Sequence, residues 1–141
     1  MNTDDHIRIL FVEADKESAG IYERRLSEKG YEVKVAYSLK QAQKHLDRLS
    51  LQLLVLDIAM EQKEGCRFLK GVREKKETKT LPVIILTHEG DRELIECARL
   101  CGSEAYFLKG QMSPSEIIKK IIAICKDRSK IIHADEHHHM V

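Results

Sequence analysis

The sequence lacks a dominant charge. Twenty-four lysines and arginines stand against twenty-three aspartates and glutamates, so it carries no overall basic footprint of the kind a dedicated nucleic-acid binder shows. It also lacks long hydrophobic runs: the apolar stretches are a few residues each, and Met1 to His6 is polar and acidic rather than basic and then apolar. Neither a membrane span nor a signal peptide is expected, and the reading is a cytoplasmic protein. Paired C-x-x-C cysteines are missing too. Cys66, Cys97, Cys101 and Cys125 fall in segments that otherwise read as helix, which predicts reduced thiols serving as small hydrophobes rather than a disulfide framework or a metal cluster. There is no internal repeat and no linker, and 141 residues leave no room for a second folded domain. The tail from Asp127 onward, with His133 and His137 to His139, has no hydrophobic period. The expectation is one domain over 1–127 and a flexible extension over 128–141.

Three short runs are apolar on both faces: Ile9 to Val12, Leu53 to Leu56 and Val83 to Leu86. Strands covered on both sides are typical of parallel sheets. Tyr31 to Ala36, which alternates, and Ala105 to Leu108, which follows Gly102, complete a set of five strands. Between them, Glu17–Lys29, Leu39–Leu49, Cys66–Lys75, Arg92–Leu100 and Pro114–Lys126 place apolar residues three or four apart, as helices do. Ser38 with Gln41 and Ser113 with Glu116 predict capping boxes, Pro114 suits a first helical position, and Gly30 and Gly102 predict helix stops. Strict alternation implies an α/β fold, a single (βα)5 doubly wound parallel sheet with right-handed crossovers. Its ligands are expected beyond the carboxyl ends of the strands.

Four polar residues stand at those ends: Glu13 after the first strand, Asp57 after the third, Thr87 after the fourth and Lys109 after the fifth. Each alone has a bland reading, because strands leave the core there. Together, two carboxylates, a hydroxyl and an ammonium suit a phosphoryl group with a divalent cation, and Asp57 is the natural nucleophile.

On these residues the chain resembles the response-regulator receivers of two-component signalling, with strand order 2-1-3-4-5, from about Arg8 to Lys126. Asp57-Ile58-Ala59-Met60-Glu61-Gln62-Lys63-Glu64-Gly65 looks like the family's phosphoacceptor loop, and Leu86-Thr87-His88 like its fourth-strand switch. Gly102 to Lys109 is similar to its fifth-strand segment with the switch aromatic and lysine. The resemblance implies that Asp57 is phosphorylated, that Thr87 and Lys109 contact the phosphoryl oxygens, and that Thr87 and Tyr106 switch. It further implies Mg2+ held by Glu13, Asp57 and the Ala59 carbonyl, with Asp15 as an additional candidate. A sensor histidine kinase or phosphotransfer protein would be the donor and a further protein the output, without nucleic acid or membrane, in a monomer or weak homodimer. Catalysis would be limited to self-phosphorylation from small donors and autodephosphorylation.

The main departure is Glu13-Ala14-Asp15, in which alanine stands where the family places a second acidic metal ligand. Loss of one carboxylate weakens an Mg2+ site without necessarily abolishing it. Asp15 alternatively caps the first helix. Glu61 and Gly110 replace two usual prolines, and His88 a small residue. Ala14 therefore opens an alternative, a pseudo-receiver that works as a phosphorylation-independent interaction module. A dehalogenase-type phosphohydrolase needs an acid at Ala59, and a flavin site needs a Gly/Ser/Thr-rich loop where Glu13 to Glu17 is acidic.

Overall fold

Five parallel strands, β1 (Arg8–Val12), β2 (Glu32–Ala36), β3 (Leu53–Asp57), β4 (Val83–Thr87) and β5 (Ala105–Leu108), form one sheet in the order β2-β1-β3-β4-β5. The helices that alternate with them are α1 (Lys16–Glu28), α2 (Leu39–Arg48), α3 (Gln62–Glu74), α4 (Arg92–Leu100) and α5 (Pro114–Lys126). This computed structural model describes residues 6–57, 62–87 and 92–127. The tail expected over 128–141 lies outside the described residues.

The period-2 geometry of a strand divides the core in two. Ile9 and Phe11 of β1, Leu53 and Val55 of β3, and Ile84 and Leu86 of β4 enter one cluster with Tyr22 and Leu26 of α1 and Ile117, Ile118 and Ile121 of α5. The alternate residues Leu10, Val12, Leu54, Leu56, Val83 and Ile85 enter the other, with Ala42 and Leu46 of α2, Leu69 and Val72 of α3, and Ala98 of α4. Both faces are therefore covered, which is why these strands read as unbroken apolar runs.

Helix ends follow their local chemistry. Ser113 takes the Glu116 N–H while Glu116 accepts the Ser113 N–H, a complete capping box with Pro114 in the first turn. At α2, Ser38 accepts from the Gln41 N–H, and the Gln41 carboxamide oxygen accepts from Tyr37, one residue outside the expected box. Gly30 (φ 98°) and Gly102 (φ 69°) adopt left-handed backbone at the stops of α1 and α4, where a side chain would be strained. α3 starts at Gln62, four residues before the expected Cys66, because its first turn carries no apolar marker although Gln, Lys and Glu favour helix.

The cysteine reading needs correction. Cys66 of α3 and Cys97 of α4 form a disulfide with Cα atoms 6.1 Å apart, while Cys101 and Cys125 are free. The two halves are 31 residues apart in sequence, and only the packing of α3 beside α4 makes them neighbours.

Candidate functional site

β1 and β3 are adjacent at the centre of the sheet, and their carboxyl ends deliver Glu13 and Asp57 to one rim. The Glu13 N–H donates to the Ala36 carbonyl at 2.9 Å, extending the β1–β2 ladder by one residue and fixing the direction of its side chain. Register pairs Asp57 with Leu86, so Thr87 is the next residue along β4, and Thr87 pairs with Leu108, so Lys109 follows on β5. The Lys109 N–H donates to the Thr87 carbonyl at 2.7 Å, which anchors the lysine at the strand exit.

Lys109 Nζ donates to Glu13 Oε1 at 2.6 Å and to Asp57 Oδ2 at 3.1 Å. Glu13, Asp57 and Thr87 are all buried, and the lysine side chain is 13% exposed, so little water screens the pair. Burial pulls the ammonium's pKa down, but the hydrogen bond it donates to Glu13 and the attraction of Asp57 outweigh it, leaving the pKa above its ordinary value. The residues have the charge pattern of a site for an anionic group beside carboxylates. A cation of the Mg2+ class takes oxygen ligands and keeps water at open positions; two converging buried carboxylates are a donor set of that chemistry and fit a largely hydrated ion. Among the described residues no third His, Cys, Asp or Glu joins them.

The other expected residues divide. Asp15 caps α1: its carboxylate accepts from the Ser18 N–H at 3.2 Å and the Ser18 hydroxyl at 2.7 Å. These hydrogen bonds, above all that from the hydroxyl, lower its pKa. The Asp15 N–H in turn donates to Glu13 Oε2 at 3.2 Å, so the cap and the site are one bond apart. Ala14 is exposed. Tyr106 is 47% exposed on β5 and does not enter the cluster. Ala59, with the rest of the acceptor loop over 58–61, and His88 lie outside the described residues.

Sequence reasoning passed over Tyr22. It is buried, stacks on Phe11 with ring centroids 4.7 Å apart, and lines a small cavity of about 130 Å³ with Lys109, Met112 and Ile117. Desolvation raises its hydroxyl pKa, with opposing influences from Lys109 and from Glu13 and Asp57. Its spacing from Ala19 and Leu26 is that of any core residue, and gave no separate signal.

The model of the family described as the response regulator receiver domain matches residues 9–122. A 14.6 kDa uncharacterized protein of Leptolyngbya boryana is 32% identical over 125 residues, covering 89% of this chain and 95% of that protein. The transcriptional regulatory protein CpxR of Escherichia coli K12 is 34% identical over 122 residues, but the chain, 84% of it covered, spans only 49% of that regulator. Among solved structures, the chemotaxis response regulator CheY4 of Vibrio cholerae superposes with a TM-score of 0.75 at 22% identity, covering 84% of this chain and 98% of that one. A CheY-like receiver domain protein of Methanospirillum hungatei gives 0.76 at 22%, covering 94% and 98%. At these identities the two structures speak for the fold alone.

Proposed function

The chain belongs to the response regulator receiver family, and from that premise we propose that it is a phosphorylation switch in which Asp57 accepts a phosphoryl group from a histidine kinase or phosphotransfer partner. The observation that carries this reading is the convergence of Lys109 on Asp57 and Glu13 at the carboxyl edge of the sheet. A carboxylate oxygen of Asp57 attacks phosphorus, the bond to the donor's leaving group breaks, and an acyl phosphate results. Lys109, already 3.1 Å from that carboxylate, balances the added negative charge, and the Thr87 hydroxyl donates to a phosphoryl oxygen. Glu13 and Asp57, with the Ala59 carbonyl, are the residues that would hold Mg2+, which when bound offsets charge on the transferring group.

A dianionic group that contacts Thr87 and Lys109 in one conformation and not the other biases a two-state equilibrium. Exposed Tyr106, on the strand that leads into Lys109, is the reporter of that bias to an output protein. A second reading, a phosphorylation-independent interaction module, draws on Ala14 together with the lysine bridge, in which the Lys109 ammonium pairs with both carboxylates.

Intact-protein mass after incubation with acetyl phosphate, with and without Mg2+, separates the two. The switch predicts a Mg2+-dependent phosphoryl adduct in the wild type that is absent in Asp57→Asn. No adduct at saturating Mg2+ would overturn it in favour of the interaction module.

A further inference from the structure

Three cysteines line one groove. Cys66 on α3, and Cys97 on α4 with Cys101 just past its end, face a cavity of about 500 Å³ between the helices, together with Lys70, Arg92 and Glu96. The disulfide joins the first two. Cys66 is partly exposed, whereas Cys97 is 7% exposed, so an attacking thiolate reaches the bond from the Cys66 side. Lys70 and Arg92 share this lining with Glu93 and Glu96, so the groove is balanced in charge and admits a small dithiol to the Cys66 sulfur without a field that repels its thiolate.

The place of the bond in the fold gives it consequence. α3 follows the loop that leaves Asp57, and α4 follows the loop that leaves Thr87. The covalent ring closed by Cys66 and Cys97 contains all of β4, including Thr87. While the bond is closed, α4 cannot shift against α3 by more than the disulfide allows.

We propose that Cys66–Cys97 is a reversible redox site, opened by a dithiol reductant, whose closed form clamps α3 to α4 and slows phosphorylation of Asp57; the second part rests on the receiver reading above. In the opening step one thiolate of the dithiol attacks the Cys66 sulfur, and the S–S bond breaks with Cys97 leaving as a thiolate that takes up a proton. The second thiolate of the dithiol then displaces Cys66 from the mixed disulfide. The protein gains two electrons and two protons and carries two thiols; the dithiol becomes a disulfide.

The test uses the full chain, oxidised with diamide or reduced with dithiothreitol and then freed of reagent. Alkylation in denaturant followed by intact mass is expected to label Cys101 and Cys125 alone in the oxidised protein and all four cysteines in the reduced one. Natively, Cys101 reacts in either form, while Cys125, buried with its thiol pKa pushed up to about 12, does not. Phosphoryl incorporation from acetyl phosphate is expected to be about fivefold faster in the reduced protein, the scale of an ordinary allosteric coupling. That difference should vanish in Cys66→Ser and in Cys97→Ala. Four labelled cysteines after diamide would overturn the site, and equal rates in the two forms would overturn the clamp. If no adduct forms in either state the receiver reading fails, and with it the clamp's effect on phosphorylation, while the labelling still decides the redox site by itself.

Discussion

Lys109→Met keeps the apolar stem of the side chain and removes the ammonium that two buried carboxylates share. The contacts at 2.6 and 3.1 Å place the Glu13 and Asp57 oxygens within about 6 Å of each other, where like charges repel by roughly 3 kcal/mol at an effective dielectric near 20. The two charge-assisted hydrogen bonds are lost as well. An exposed ion pair would contribute about 0–1 kcal/mol, but here the side chains are 13% exposed for Lys109, 4% for Glu13 and 6% for Asp57. The larger range, about 3–5 kcal/mol for breaking a buried pair, therefore applies.

Urea unfolding followed by circular dichroism at neutral pH in Mg2+-free buffer measures the loss, with an unchanged m-value confirming that stability alone has moved. The same substitution made in Asp57→Asn meets a single carboxylate and is expected to cost about 2–3 kcal/mol less, a coupling typical of groups in one network. A loss below about 1 kcal/mol would refute the buried-bridge reasoning. Additivity to within about 0.5 kcal/mol would place Asp57 outside the network.

The remaining expectations concern pH, the α1 cap, Arg73 and the disulfide. Because the folded pKa of Lys109 lies above its ordinary 10.5, its contribution is fully present below 10.5 and fades as pH rises through the folded value; the stability gap between wild type and Lys109→Met should narrow in that alkaline window, measured with Tyr22→Phe in both proteins because Lys109 itself lowers the Tyr22 pKa. Asp15→Ala should cost about 1 kcal/mol in urea unfolding through loss of the α1 cap, and phosphoryl incorporation at saturating Mg2+ should persist; its disappearance would mean that Asp15 serves the metal. Arg73 donates to the carbonyls of Cys101, Thr78, Lys79, Leu81 and Gly102, tying the end of α3 to the turns before β4 and after α4, so Arg73→Ala should lose about 2–3 kcal/mol by the same assay. Cys66→Ser, compared with oxidised wild type, should lose about 3–4 kcal/mol, the chain-entropy value for a ring of this length, and should match reduced wild type closely.

The sequence by itself determined the strands and their two covered faces, because a strand buried on both sides cannot hide its composition: Leu53 to Leu56 and Val83 to Leu86 have no polar residue to place. It also determined the rim. A polar residue directly after such a run has to leave the core at the strand's carboxyl end, so Glu13, Asp57, Thr87 and Lys109 were legible as neighbours once the strands were taken as parallel. The Ser113–Glu116 box and the glycine stops were legible because capping depends on residues a few positions apart. Only the tertiary structure decided what depends on distance across elements. Lys109 bridging two acids, Tyr22 beneath the site, Arg73 gathering five carbonyls, and Cys66 meeting Cys97 across two helices all join residues whose separation in sequence says nothing about their approach in space. Helical periodicity marks which face of α3 or α4 is apolar, but the rotation and offset that bring one sulfur to the other are set by how both helices pack on the sheet.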